Sequence, residues 1–361
     1  MSLKYGEIIK QMSLEEKALM MSGKNTWETV DFEKYGIPSM AMSDGPHGLR
    51  RQAGAGDHLG LNASLPATCF PTAATIANSW DEKLGEEIGT ALAEEAVTMD
   101  VNVILGPGLN IKRSPLCGRN FEYFSEDPYH AGKMAAAYVK GIQSKGISAC
   151  PKHFAANSQE LRRMASDSVV DERTFREIYT TGFEIAVKEG KSKSIMSSYN
   201  EVNGVYANEN RHMLQEILVD EWGFDGIVLS DCGAIADFYR DYGHKTHPDA
   251  ESASAAAVLS GTDLECGSSY EALVEAVKQG KIDEKAVDVA VKRLLTARFA
   301  LGEMDEPEKV SWTGIPFSVV ASAGHDSLAL DMARKSMTLL MNKDNTLPLK
   351  RGGLTIAVMG P

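Results

Sequence analysis

An α/β fold built around a parallel sheet is what this sequence predicts, and three observations predict it. Short apolar stretches alternate with amphipathic helical ones over most of the 361 residues. Those apolar stretches lack a polar/apolar alternation, as expected of parallel strands buried on both faces. Polar residues then concentrate in the turns that follow them. At this length a closed (β/α)8 barrel of the TIM type is the economical arrangement. Seven strands are convincing rather than eight, which leaves two readings open: one strand is missed, or the barrel is incomplete.

The expected strands are Ser39–Met42, Cys69–Ala73, Val101–Leu105, Ile147–Cys150, Ser194–Ser197, Gly226–Leu229 and Thr262–Leu264. Each is short and rich in Ile, Val, Leu, Met, Ala or Cys. Helical spacing is expected over Leu14–Met21, Asp81–Thr98, Pro128–Lys145, Asp171–Lys188, Asn210–Glu221, Pro248–Leu259, Tyr270–Lys278 and Asp283–Phe299. Ser13 and Glu16 have the spacing of a capping box. Asp171 places acid at a helix start, where the macrodipole favours it. The pattern changes after Leu301: residues 303–323 read as a linker, His325–Met341 as a helix, Asn342–Leu349 as a turn and Gly353–Met359 as a strand before Gly360 and Pro361. A lone apolar strand at that place suggests the start of a truncated second domain.

Composition excludes several classes. Hydrophobic residues make up 43% and charged residues 24%, ordinary for a folded chain. A net charge of −13 repels phosphate backbones, so no nucleic-acid partner is expected. No apolar run approaches the roughly 18 residues of a membrane span. Cys69, Cys117, Cys150, Cys232 and Cys266 show no C-x-x-C spacing and read as reduced thiols in a cytoplasmic protein. Residues Met1–Gln11 carry no apolar segment like that of a signal peptide. No serine-hydrolase elbow or phosphate loop occurs. His244 and His247 form an isolated H-x-x-H in a charged loop, which gives weak ground for a metal site. No metal and no cofactor are expected.

The post-strand turns read SDGPH (43–47), GPGLN (106–110), KHF (152–154), YNE (199–201) and SDCG (230–233). In a barrel these turns share one face and converge on one pocket. Asp231 follows GIVLS directly, so the backbone holds it at a strand tip. Neighbouring Arg119, Lys152 and His153 would favour its ionised form. A fixed carboxylate is what a retaining glycosidase uses as nucleophile. Asp231 alone could equally cap the next helix, Arg119 could simply pair with Glu122 or Glu126, and Asp44 could be a turn residue. No one of these motifs decides the matter.

Taken together, six ordered motifs resemble glycoside hydrolase family 3: SDGPHGLR (43–50), CGRNFEYFSEDP (117–128), PKHFAANSQE (151–160), VDERTFREIY (170–179), MSSYNEVNG (196–204) and GIVLSDCGA (226–234). The resemblance implies a catalytic barrel over residues 1–302, the linker 303–323, and the start of an α/β sandwich over 324–361. It implies retaining, exo-acting hydrolysis of a terminal non-reducing β-linked sugar. Asp231 matches the nucleophile. Asp44, Arg50, Arg119, Lys152, His153, Arg163 and Tyr199 match residues that line the sugar subsite, with Tyr199 orienting the nucleophile. SDGPHGLR has the β-glucosidase form, whereas Cys232 and TDLECG (262–267) lean towards β-xylosidases. A β-glucosidase acting on a β-linked oligosaccharide or glucoside is the leading reading. A β-xylosidase or dual enzyme is the nearest alternative, and a non-catalytic sugar-binding fragment is the alternative of another class. Retaining hydrolysis needs a second carboxyl. The resemblance places that acid/base on the sandwich domain, and KHFAANSQE lacks the second His of the hexosaminidase members. A homo-oligomer stays open.

Overall fold

The computed structural model describes residues 2–54, 56, 57 and 61–359. The strands are short: β1 (Met42–Ser43), β2 (Val103–Ile104), β3 (Ser148–Ala149), β4 (Asp167–Ser168), β5 (Ser194–Met196), β6 (Glu201–Val202), β7 (Val205–Tyr206) and β8 (Ile227–Leu229). Pairing is parallel in β1–β2–β3 and in β5–β8. Isolated parallel bridges continue the row, Phe154 with Ser197 and Leu229 with Leu264. The segments around residues 42, 103, 148, 195, 228 and 264 thus lie side by side in chain order. Residues 21–29 bond to both ends of the row. The Met21 carbonyl accepts from Glu265 N–H at 2.9 Å, and Met42 N–H donates to the Trp27 carbonyl at 2.8 Å. A small separate sheet, β4–β6–β7, lies on the 167–206 connection.

Both faces of the parallel row are buried, as the missing alternation predicts. Val103 packs in one core cluster and Ile104 in the other; Ile195 and Met196 divide in the same way, as do Ile227 and Val228. Successive strand side chains point to opposite faces, so two separate cores result.

The main α-helices are α1 (Ser2–Gln11), α2 (Leu14–Met20), α3 (Ala73–Ala77), α4 (Glu82–Thr98), α5 (Pro128–Gln143), α6 (Thr181–Lys188), α7 (Ala250–Ser260), α8 (Leu273–Lys278), α9 (Glu284–Ala300) and α10 (Ala323–Lys335); a short α-helical turn, Glu172–Thr174, and a π-helical stretch, Phe175–Thr180, lead into α6, and His212–Glu221 is π-helical. The Ser13/Glu16 capping box is formed at the start of α2. Asp81, Asp127, Asp249 and Asp283 each cap the helix that follows with a side-chain oxygen. The α4–α5 pair packs very closely because glycines face each other. A Cβ on Gly141 would sit 2.1 Å from the Glu86 carbonyl oxygen, and one on Gly89 would sit 2.4 Å from that of Tyr138. Helix α10 is fastened to α4 by His325, whose Nδ1 lies 2.7 Å from the buried Glu95 carboxylate.

Several expected elements differ. Cys69–Ala73 is no strand: Pro71 has no N–H to donate, Thr72 occupies the cap position, and Ala73 begins α3. Thr262–Leu264 contributes a single bridge rather than a strand. The last helix stops at Lys335, and Met337–Met341 are exposed. Residues 353–359 form no strand, and Leu354, Ile356 and Val358 are exposed; Gly360 and Pro361 lie outside the described residues. No helix among the described residues is long and apolar enough to cross a membrane.

The close α4–α5 crossing makes a test. Gly141→Ala should destabilise the fold by about 1–3 kcal/mol, since backbone rather than a flexible side chain opposes the new methyl. Gly314→Ala, where nothing lies within 4 Å of the added carbon, should be near neutral. Urea unfolding of the two variants measures the contrast.

Candidate active site

Seven of the eight predicted residues line one cavity of about 190 Å³: Asp44, Arg119, Lys152, His153, Arg163, Tyr199 and Asp231. Arg50 is not among the lining residues, but its Nη2 donates to Asp44 Oδ2 at 3.0 Å. Five of the eight stand just past a parallel segment, and Arg50, Arg119 and Arg163 come from the loops beyond. Asp44 follows β1, Lys152 and His153 follow β3, Tyr199 follows β5, and Asp231 follows β8.

Lys152 is the most buried charge on the cavity, with 3% of its surface exposed. Its ammonium lies 2.8 Å from Asp44 Oδ1 and 3.1 Å from Glu122 Oε1. Burial works to lower its affinity for a proton, but these two carboxylates outweigh burial and raise it. Burial likewise works to raise the Asp44 carboxyl; Lys152, Arg50 and Arg119 outweigh it and hold Asp44 below the usual carboxylate range. Glu122 is shared, since it also accepts from Arg119 Nε at 2.7 Å. The pairing of Arg119 with Glu122 is therefore real, and it leaves Arg119 on the cavity wall rather than removing it from the site.

Asp231 presents its two oxygens differently. Oδ1 accepts the Cys232 N–H at 2.8 Å. Oδ2 is buried without a hydrogen-bond partner and lies 3.6 Å from His153 Nε2, too far for a bond. The sequence reading expected positive neighbours to decide the Asp231 charge state. Instead burial wins and raises its carboxyl above the usual range, with Arg119, Arg163, the Cys232 N–H and Lys152 opposing. Burial, followed by the charges of Arg119, Lys152 and Arg163, pushes His153 well below the ordinary histidine range, so its ring is neutral. The ring is set by Asn110 and Tyr123: Nδ1 lies 3.3 Å from Asn110 Oδ1 and 3.2 Å from the Tyr123 hydroxyl, and the His153 backbone N–H donates to the same Asn110 oxygen at 2.9 Å. Tyr199 donates its hydroxyl to the Cys232 carbonyl at 2.6 Å, next to Asp231 in the chain. The Arg163 guanidinium stands 4.5 Å over the Tyr199 ring.

The expectation of five reduced thiols is corrected. Cys232 and Cys266 form a disulfide across a Cα–Cα distance of 4.4 Å, while Cys69, Cys117 and Cys150 are free. The two residues are 34 apart in sequence, yet they stand on turns after adjoining segments, because Leu229 bridges Leu264. Linear spacing carries no sign of that proximity. With a disulfide present, sparse cysteines no longer argue for a cytoplasmic location.

Three further residues were not foreseen, of which only Trp27 lines the cavity. Trp27 lines the cavity from the 21–29 segment, its indole N–H donating to Gln52 at 2.6 Å; a lone Trp outside any strand gave no signal. Asp237, six residues past Asp231, is buried with one oxygen unpartnered, and burial followed by the Asp231 charge pushes it to about 7. Glu265, next to the disulfide, is fully buried. One of its oxygens accepts the Tyr270 N–H at 2.7 Å and the other has no partner. As for the H-x-x-H pair, His244 sits 3.4 Å from Glu201 and His247 2.5 Å from Glu209. Among the described residues no group of three His, Cys, Asp or Glu side chains is arranged to hold a metal ion.

With this geometry in place, comparison with known proteins defines the class. The profile of the Glycosyl hydrolase family 3 N terminal domain matches residues 4–297. The thermostable beta-glucosidase B of Acetivibrio thermocellus is 47% identical over 364 residues, an alignment that takes in 100% of this chain and 45% of that protein. An exo-alpha-(1->6)-L-arabinopyranosidase of Bifidobacterium longum is 42% identical over 351 residues, 95% of this chain and 43% of the other. The structure of beta-glucosidase 3B from Thermotoga neapolitana in complex with glucose superposes with a TM-score of 0.83 at 34% identity, covering 96% of this chain and 48% of that one. The chain belongs to glycosyl hydrolase family 3. It spans about half the length of the curated relatives it matches.

Burial raises the Glu265 carboxyl from 4.5 to about 7. The folded state therefore holds a proton the unfolded chain gives up. Its stabilising contribution is complete below about pH 4.5 and is lost as pH rises through about 7. Glu265→Gln should remove this dependence. Across that window wild type should lose stability relative to the variant, by at most about 1.4 kcal/mol per pH unit. Urea unfolding at about pH 5 and pH 8 reads the difference.

Proposed function

We propose that this chain is the nucleophile- and sugar-bearing half of a retaining exo-β-glucosidase. Asp231 attacks the anomeric carbon and forms a covalent glycosyl intermediate. The observation that carries the reading is the one unpartnered Asp231 oxygen on a cavity otherwise walled by paired charges. Oδ1 is engaged by the Cys232 N–H, so Oδ2 is the oxygen left to react. Asp44, Lys152, Arg119 and Arg163 offer ionic acceptors and donors that suit a sugar's hydroxyls, at the strength that charge-assisted hydrogen bonds bring. Neutral His153 can donate one hydrogen bond without adding charge beside Asp231. Tyr199 fixes the peptide that follows the nucleophile. Arg50 acts through Asp44.

The acid/base lies elsewhere in this reading. The carboxyls lining the cavity are Asp44 and Asp231. Asp44 is ion-paired and held ionised, which unfits it as a proton donor. The missing carboxyl is assigned to a further domain, reached through residues 303–323 and beginning at 324. The fold reading goes with this: the six adjoining parallel segments, closed through residues 21–29, make an incomplete barrel over 1–302.

Glucose is favoured as the sugar because Asp44, in the SDGPHGLR motif, stands on the cavity wall with Arg50 behind it. A pentopyranoside is the second reading. Cys232 lines the same cavity through a disulfide, and one relative is named for an arabinopyranoside.

An activated leaving group needs no acid, so the nucleophile can be tested on this chain alone. Incubation with 2,4-dinitrophenyl 2-deoxy-2-fluoro-β-glucoside should leave one fluoroglucosyl group per chain, mapped by peptide mass to Asp231. Asp231→Asn should slow labelling by roughly 10³-fold or more. Label on another residue, or none, would overturn the assignment. The matching fluoroxyloside, if it reacts faster, would move the substrate to the pentose.

A further inference from the structure

Glu160 ends the PKHFAANSQE motif and was given no role from the sequence, nor does it line the cavity. Its carboxylate nevertheless joins the two halves of the site. Oε2 accepts from Arg163 Nη1 at 3.0 Å. Oε1 lies 3.7 Å from Arg119 Nη1 and accepts from the buried Asn157 amide at 3.2 Å. On the Arg119 side the contacts run through Glu122 and Lys152 to Asp44. On the Arg163 side they run through the Tyr199 ring and hydroxyl to the Cys232 carbonyl beside Asp231.

Two guanidiniums on one small cavity repel each other, and an arginine side chain loses considerable rotamer freedom when it is held. A single carboxylate between them answers both difficulties. Arg163 has no other carboxylate within ion-pair distance among the described residues, whereas Arg119 keeps Glu122 at 2.7 Å. Loss of the Glu160 charge therefore falls mainly on Arg163.

Resting on the reading that a pyranose occupies this cavity, we infer that Glu160 is a positioning residue. It holds Arg163 against the Tyr199 ring and so sets the wall that faces the nucleophile, without touching the sugar itself. Glu160→Gln keeps the side-chain shape and removes the charge.

The test is a double-mutant cycle on the 361-residue chain, reading glucose affinity by calorimetry beside the melting temperature. Glu160→Gln should raise the glucose Kd about tenfold with the melting temperature unchanged. Glu160→Asp should recover most of that loss. Glu160→Gln combined with Arg163→Ala should bind no more weakly than Arg163→Ala alone, because both remove the same contact. Wild-type affinity in Glu160→Gln, or losses that multiply in the double variant, would overturn the inference. Should Glu160→Gln fail to fold, Glu160→Ala, which also removes the charge, enters the same cycle with the same criteria. A second arm needs no sugar. The Arg163 Nη1–H resonance, bonded to Glu160 Oε2, should be protected from solvent exchange in wild type and lost in Glu160→Gln. Its persistence would sink the positioning role even if glucose proved the wrong ligand. Failure of Asp231 labelling, by contrast, would strike the proposed function and leave this arm standing.

Discussion

A buried ammonium organises this molecule. Lys152 sits at the end of β3 with almost no solvent contact, and an unpaired charge there would cost several kcal/mol. Asp44 and Glu122 supply the compensation from two other connections. The pairing therefore forces the turn after β1, the long loop before α5 and the turn after β3 to meet at one point. Once Glu122 is held by Lys152, it is also placed to hold Arg119, and the wall of the cavity is set from that side. The arrangement is a constraint more than a gain in stability, because desolvating three charges offsets much of their attraction.

The same electrostatic layout separates roles among residues of similar type. Asp44 and Asp231 are both carboxyls on one cavity, yet their proton affinities are moved in opposite directions. Asp44 has two cations in contact and is held ionised; Asp231 has a single backbone N–H on one oxygen, while the other is buried without a hydrogen-bond partner. His153 illustrates the converse. Burial, aided by three nearby cations, keeps its ring neutral, so it approaches Asp231 without forming an ion pair with the unpartnered oxygen.

Much of this was legible before any coordinates. The parallel strands at 101–105, 147–150, 194–197 and 226–229 followed from unbroken apolar runs, because two buried faces remove the alternation that a one-sided strand would show. The residues after them followed from the rule that functional groups gather past carboxyl ends of strands. The failures have specific physical origins. Cys69–Ala73 is apolar, but Pro71 cannot donate and Thr72 starts a helix. Residues 353–359 have strand composition, but strand pairing needs a neighbour's free edge and none meets them among the described residues. The Asp231 proton affinity was misjudged because charge signs can be read from a sequence while depth of burial cannot.

By itself the sequence determined which side chains stand at the ends of which strands, since alternation period, caps and turn chemistry are local properties of the chain. It also carried the ordered motifs that mark the family. Only the tertiary structure decided which of those side chains share a surface, which are paired, and which atom is left over. The Cys232–Cys266 bridge, the Lys152–Glu122 pair and the Arg119–Glu160 pair join residues whose separation along the chain says nothing about their separation in space, whereas Arg119–Glu122 and Glu160–Arg163, three residues apart, are local. Desolvation and ion pairing depend on that second separation, and it exists only once the connections have been folded onto one face.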